Sequence, residues 1–306
     1  MILPKRLQKG DTVGVIAPAS PPNLENLEKA IPFLENLGLQ VKVGPNVSKT
    51  YGYLAGTDQE RLDDLHAMFT DSDVSGIICA GGGYGTGRIV SSINFDLIKS
   101  NPKTFWGYSD ITYLHTAIRQ KTGLVTFHGP MLSSDVGKDS FEERSRAMFQ
   151  QLFQPETLQY TESFSPLQTI SDGEAEGELV GGNLSLLVNT MGSPYELDTK
   201  GKLLLIEDIG EEPYRVDSFL SQLKLAGKLK EAAGIVVGDF SEAEPKKRDQ
   251  SLTLEDVYDY YFSRLNKPVV SGFKIGHCQP HFAVPLGAKA TLSSSSKTLT
   301  IEPGVQ

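Results

Sequence analysis

The first half of the chain alternates two hydrophobic periods, and that alternation limits the folds open to it. Thr12–Ala17 is a short apolar run stopped by Pro18-Ala-Ser-Pro-Pro22, as a strand would be. Residues 23–37 then carry Leu24, Leu27, Ile31 and Leu34 at helical spacing, and Gly38 closes the segment. The same succession predicts a strand at Val41–Val43 and a helix over Asp58–Phe69, with Leu62, Leu65 and Met68 or Phe69 inward. Strands at Gly76–Ala80 and Lys103–Trp106, a helix over Asp110–Arg119 and a strand at Leu124–Phe127 follow. Strands separated by helices pair in parallel, so an α/β class with a parallel sheet is expected. Ligands of such sheets bind beyond the carboxyl ends of the strands.

The pattern fades over residues 153–177, where Pro, Ser, Thr and Glu occur without a period. We expect a connection there, dividing the chain into an N-terminal α/β domain (1–152), a linker (153–177) and a C-terminal β/α domain (178–306). A length of 306 residues suits two domains. In the second part, Gly181–Leu187 leads into a helix, and Lys202–Ile206 is a strongly apolar strand followed by Glu207 and Asp208. Further on, Val216–Leu225 is helical, Gly234–Gly238 a strand and Leu254–Leu265 a helix, and Ala290–Ile301 reads as a hairpin around four serines.

Charge and composition exclude several function classes. The net charge is −9, and the densest basic run is the short Lys246-Lys247-Arg248, so no nucleic-acid partner is expected. Two cysteines, Cys79 and Cys278, are too few for a disulfide framework or a zinc cluster. His277 and His281 are four apart but span a proline, and no metal is expected. No apolar leader or run of about 20 apolar residues is present, so the expectation is a cytoplasmic protein with no membrane partner.

Two segments after predicted strands carry chemistry. Gly107-Tyr-Ser-Asp-Ile111 places Ser109 between a strand and a helix, where the helix N-terminus favours a developing anion. The pattern lacks the second glycine of the G-x-S-x-G elbow. Helix capping by Ser109 or Asp110 is the commoner local use of such residues. The second segment, Gly81-Gly-Gly-Tyr-Gly-Thr-Gly87, lets the backbone approach a ligand closely, but matches neither phosphate-loop nor dinucleotide fingerprints. A serine nucleophile needs a base. Of five histidines, His66 and His115 lie on helices, His128 follows a strand, and His277 and His281 share a Gly- and Pro-marked loop. His128 and His277 are the better candidates, because each sits at a strand end. Glu207, directly after an apolar strand, is a candidate orienting acceptor, with Asp208 on the opposite side.

Taken together, the segments resemble the LD-carboxypeptidase family, serine peptidases that include murein tetrapeptide carboxypeptidases and microcin-immunity peptidases. The resemblance runs in order through Gly10–Ser20, Gly82-Gly-Tyr-Gly85 with Arg88, Trp106–His115, His128-Gly-Pro130, Gly181-Gly-Asn-Leu184, Leu205-Ile-Glu-Asp208, Tyr214-Arg-Val-Asp217, and Gly276-His277 with Pro285-Leu-Gly287. It implies a flavodoxin- or amidotransferase-like N-terminal domain carrying the nucleophile and a mixed β/α C-terminal domain carrying the other catalytic residues. It places the nucleophile on Ser109, the Glu on Glu207 and the His on His277. The oxyanion donors fall on the backbone N–H of Asp110 and of Gly83, with Gly82 as the alternative. Gly81 stands where the family often has Arg, so a substrate contact assigned to that Arg does not carry over to this chain by resemblance. The implied reaction releases terminal D-alanine from a murein tetrapeptide in wall recycling, with no cofactor, a murein peptide as partner and a homodimeric assembly. The alternatives are hydrolysis of peptidyl or aminoacyl nucleotides, as in microcin immunity, and nucleotide binding or kinase chemistry on Gly81–Gly87. A catalytically dead peptide-binding module is a third.

Overall fold

A computed structural model describes residues 1–246 and 250–306. Lys247 and Arg248 of the basic run therefore lie outside the described residues. The chain forms two compact units. One comprises Met1–Glu156 with Ala283–Gly287 and Pro303–Gln306, and the other Thr157–Phe282 with Ala288–Glu302.

In the first unit, β1 (Thr12–Ile16), β2 (Gln40–Val43), β3 (Val74–Cys79), β4 (Thr104–Gly107) and β5 (Thr126–His128) pair in parallel in the order β2-β1-β3-β4-β5. That is the doubly wound order of flavodoxin-like sheets, whose strand order reverses between β1 and β3. A crevice at the carboxyl ends of those two strands is the place such a sheet offers a ligand. Helix Leu24–Asn36 buries Leu27, Ala30 and Leu34, and the Asn23 side chain caps it by accepting from the Asn26 N–H at 2.9 Å. Leu24, expected inward, is exposed because it stands in the first turn, before the helix meets the sheet. Helix Asp58–Thr70 starts with a reciprocal Thr57–Glu60 capping box and buries Leu62, Leu65, Met68 and Phe69, as expected. The core centres on Trp106, which stacks with Phe127 and Phe149 and donates from Nε1 to the Pro130 carbonyl at 2.7 Å.

Among the described residues, the second unit holds a sheet of eight strands. They are β6 (Leu158–Tyr160), β7 (Gln168–Ser171), β8 (Glu174–Asn183), β9 (Leu203–Ile209), β10 (Gly234–Ser241) and β11 (Val269–Ser271), then β13 (Lys289–Ser293) and β14 (Thr298–Ile301), with β12 (Val284–Leu286) intervening in the chain. The order is β6-β14-β13-β8-β9-β10-β11-β7, parallel from β8 to β11 and antiparallel on both flanks. Helices Pro213–Leu225 and Leu254–Phe262 bury Val216, Leu220, Leu223, Val257 and Phe262 in one core with the parallel strands.

Two expectations need correction. Residues 153–177 are not an irregular linker, because β6, β7 and the start of β8 lie there. These strands have at most one covered face, so their Ser, Thr and Glu positions break the apolar run that marks a buried strand. The C-terminal segment also does not stay with the second unit. β12 adds antiparallel to the outer edge of β5 in the first sheet. Its three residues include Pro285, which an edge strand tolerates, and give no readable period.

Candidate active site

Ser109 stands two residues after the end of β4 and has φ +62, in the left-handed region that a non-glycine residue enters at a cost of about 1–2 kcal/mol. A short 3-10 turn, Ser109–Ile111, precedes helix Thr112–Thr122. Tyr108 occupies the N-cap of that turn and Ile111 the N-cap of the helix, and neither end has a side-chain cap hydrogen bond. The capping reading of Ser109 therefore loses its ground. Nor does Asp110 cap its own helix. Its Oδ2 accepts from the Thr86 N–H at 2.8 Å, and the Thr86 hydroxyl donates to the Asp110 carbonyl at 2.6 Å. Burial pushes the Asp110 carboxyl up against those hydrogen bonds. Asp110 thus fastens the Ser109 turn to the end of the glycine loop.

That loop wraps closely around the serine. A Cβ on Gly82 would sit 3.0 Å from Ser109 Cβ and 3.2 Å from its Oγ. Gly83 has φ +105, and a Cβ there would collide with the Ser20 hydroxyl. Ser20, after β1, donates its N–H to the Gly82 carbonyl at 3.1 Å and accepts at Oγ from the Tyr84 N–H at 3.1 Å. Arg61 is fully buried and donates from Nη1 to the Pro18 and Gly85 carbonyls at 2.7 and 2.8 Å. One guanidinium therefore ties the loop after β1 to the loop after β3, at the topological switch point. No motif in the sequence signals this Arg61 role, since its partners are backbone carbonyls distant in the chain. Arg88, a possible reader of a substrate carboxylate, instead holds Asp58 bidentately at 3.1 and 2.9 Å.

The second unit assembles an acid–base pair. Glu207 lies near the end of β9, wholly buried, and its Oε2 is 2.7 Å from His277 Nδ1. A carboxylate there fixes Nδ1 as the protonated nitrogen, which leaves the imidazole lone pair on Nε2. Glu207 Oε1 is enclosed with no hydrogen-bond donor among the described residues. Gly276 makes the approach possible: at φ +127, a Cβ on it would sit 2.5 Å from Glu207 Oε2. We expect Gly276→Ala to cost about 2–4 kcal/mol, from strain and collision together, and to break the pair. Denaturant unfolding and turnover measured on one sample check this, since both must fall. The Ser241 hydroxyl donates to the His277 carbonyl at 2.6 Å and steadies the loop. Asp208 points away from Glu207, as the strand alternation predicts. It accepts from Asn183 Nδ2 at 2.8 Å and from the N–H groups of Ser185 and Ile209 at 2.8 and 2.9 Å.

The remaining histidines have other surroundings. His66 Nε2 accepts from the Asn94 N–H at 3.0 Å. His128 is buried in β5 with its ring edge-on to Tyr108. His281 is buried, which lowers its pKa to about 3. His115 is 2.8 Å from the Gly107 carbonyl through Nε2 and 2.8 Å from the Thr126 hydroxyl through Nδ1. It braces the strand end two residues before Ser109. The carbonyl requires a proton on Nε2, so Nδ1 accepts from Thr126. Burial lowers the His115 pKa to about 4.

These two buried histidines set an acid limit. Each has a folded pKa below its unfolded value of 6.5, so the native state binds fewer protons below that pH. Their contribution is full above pH 6.5 and drains as pH falls toward 4, at roughly 3 kcal/mol or more each. Asp208, pushed up from 3.8 to about 6 by burial and by Glu207, opposes them over the same range, and so do Asp64 and Asp110, which burial also pushes up. The two histidines, lowered from 6.5 to about 4 and about 3, carry the larger shifts. The melting temperature is expected to fall steadily from pH 6.5 to 4, and the fall is expected to shrink in His281→Gln. Calorimetry across that range checks both.

Comparison with known proteins places these features. Residues 13–129 match the LD-carboxypeptidase N-terminal domain, and residues 176–292 match the LD-carboxypeptidase C-terminal domain. The chain belongs to the LD-carboxypeptidase family. It is 59% identical over 302 residues to a probable murein peptide carboxypeptidase of Bacillus subtilis (strain 168), covering 99% of this chain and 95% of that protein. Among solved structures, a muramoyltetrapeptide carboxypeptidase from Oxalobacter formigenes matches with TM-score 0.86 and 31% identity, covering 96% of this chain and 100% of the other. An MccF-like protein from Bacillus anthracis matches with TM-score 0.89 and 29% identity, over 99% and 100% of the two chains. Within this LD-carboxypeptidase family chain, Ser109 falls in the matched N-terminal region, and Glu207 and His277 fall in the matched C-terminal region. Among the described residues, no helix is long and apolar enough to cross a membrane.

Proposed function

We propose that this LD-carboxypeptidase hydrolyses the L,D-bond that releases terminal D-alanine from murein tetrapeptide, with Ser109, His277 and Glu207 as a catalytic triad. The observation that carries this reading is the Glu207–His277 pair at 2.7 Å, built around a fully buried carboxylate. It gives the imidazole a single competent basic nitrogen. In the proposed mechanism His277 Nε2 takes the Ser109 proton as Oγ attacks the scissile carbonyl. Glu207 stabilises the imidazolium. The oxyanion is received by the N–H of Asp110 and the N–H of Gly83, each worth about 3–4 kcal/mol in such a role. His277 then protonates the departing D-alanine amine, and water attacks the acyl-enzyme to regenerate Ser109. We place the reaction in wall recycling in the cytoplasm, by a homodimer that needs no metal or organic cofactor.

The substrate choice follows relatedness. The relative at 59% identity is named for murein peptides, whereas the MccF-like structure stands at 29%. The single tryptophan, Trp106, is buried in the core. A direct competition decides between the two. L-Ala-γ-D-Glu-diaminopimelate-D-Ala and an aminoacyl adenylate analogue with a hydrolysable amide are mixed with the protein, and both products are followed by mass spectrometry. Prior consumption of the tetrapeptide supports the murein reading. Consumption of the nucleotide conjugate alone transfers the assignment to immunity-type hydrolysis.

A further inference from the structure

Within the first unit, two tyrosines stand exposed on neighbouring loops. Tyr84 belongs to the glycine loop and is 54% exposed, while Tyr53 is 65% exposed. Their rings meet edge to face, with centroids 5.6 Å apart and planes at 66°. Both loops are held in place. The Ala55 N–H donates to the Ala19 carbonyl at 2.9 Å, and Leu54 packs so closely on Gly85 that a Cβ there would lie 2.6 Å from it. The Tyr84 N–H is bound to Ser20 Oγ. Tyr84 is two residues along the glycine loop from Gly82, where an added Cβ would lie 3.0 Å from Ser109 Cβ.

A cation borders the corner. Asp58 is shared by Arg61 and Arg88, and buried Arg61 also faces the Asp110 carboxylate. Arg88 is exposed and uses Nε and Nη2 on Asp58. Its exposed guanidinium is the group beside the tyrosines that a ligand carboxylate would meet.

We propose that Tyr53 and Tyr84, with Arg88 alongside, form a subsite for the amino-sugar portion of saccharide-linked murein peptides, set apart from the scissile bond. The proposal rests on the murein reading for its ligand. The geometry favours a sugar over a nucleobase. Rings at 66° make a corner and do not form the two parallel faces that sandwich a flat purine. A pyranose chair, thick and lined with C–H groups, can lay one face on an aromatic ring while its substituents meet the other. The lactyl carboxyl of such a fragment is consumed in the amide to the peptide, so a carboxylate of the peptide itself, beside the sugar, is what Arg88 would meet.

The test has a binding arm and a kinetic arm. In the first, protein carrying 13C-labelled tyrosine rings is titrated with N-acetylglucosaminyl-anhydro-N-acetylmuramic acid, and in parallel with adenosine monophosphate. The Tyr53 and Tyr84 signals are assigned from Tyr53→Phe and Tyr84→Phe. Saturable shifts of both signals with the disaccharide support the subsite. No shift with millimolar disaccharide, or shifts with the nucleotide alone, overturns it. In the second arm, KM is measured for the free tetrapeptide and for the same peptide joined to the disaccharide. The saccharide-linked substrate is expected to have a KM at least fivefold lower. That ratio falls to about one in Tyr53→Ala and is retained in Tyr53→Phe, which keeps the ring. Equal KM values in the wild type, or an unchanged ratio in Tyr53→Ala, overturn the subsite. Saturable disaccharide shifts without D-alanine release from either substrate would uphold the subsite and defeat the murein reading of the reaction.

Discussion

Ser109→Ala is expected to lower kcat/KM on murein tetrapeptide by at least about 10^4-fold while leaving stability within about 0.5 kcal/mol of the wild type. The first half of that expectation follows from chemistry: without Oγ no acyl-enzyme forms, and only binding and oxyanion stabilisation remain. The second half follows from the backbone. Ser109 sits at φ +62, and alanine bears the same left-handed penalty as serine. Ser109→Gly separates the two effects. It should be equally inactive but more stable by about 1 kcal/mol, because glycine adopts that conformation without strain. Tetrapeptide kinetics and denaturant unfolding on the three proteins check the pattern. A glycine variant that is no more stable would show that the turn is not strained. An alanine variant that retains activity would remove Ser109 from the chemistry.

Glu207→Gln is expected to reduce kcat by roughly 10^3–10^4-fold, with KM little changed and thermal stability equal or higher. The side chain keeps its shape, and an amide costs less to bury than a carboxylate. Its nitrogen, however, can donate to His277 Nδ1, which moves the imidazole proton to Nε2 and removes the lone pair from the nitrogen that must act as base. Steady-state kinetics and thermal unfolding test this together. A loss of activity accompanied by unfolding would indicate that Glu207 supports the loop and does not tune the imidazole.

Most of the first sheet was legible in the sequence because its strands are covered on both faces and its helices are amphipathic. β1, β3 and β4 are nearly continuous apolar runs, and helix Asp58–Thr70 carries its burial pattern in plain view. The edges were not legible. β6, β7 and β12 are short and lie toward the sheet margins, where a polar residue or Pro285 carries no penalty. Their place is set by pairing partners far away in the chain. The same division applies to the candidate site. Ser109, Glu207 and His277 were singled out because each stands in a recognisable motif, and Glu207 and His277 do meet. The supports of these residues were hidden. Arg61 reaches two carbonyls, His115 reaches Gly107 and Thr126, and Asp110 reaches Thr86. None of these contacts leaves a period or spacing in the sequence. His115 in particular reads as an ordinary helix residue until β5 is laid beside β4. The Tyr53–Tyr84 corner was likewise invisible, since it depends on two loops being drawn together by Ala19, Ser20 and Leu54.

The central claim, a serine carboxypeptidase acting on a terminal D-residue, is tested most directly by incubating the wild-type protein with two tetrapeptides that differ only in the configuration of the last alanine. Products are followed by mass spectrometry. The account predicts that the D-alanine peptide is converted to tripeptide and free D-alanine while the L-alanine peptide stays intact. Survival of the D-alanine peptide under conditions where the protein is folded would contradict it.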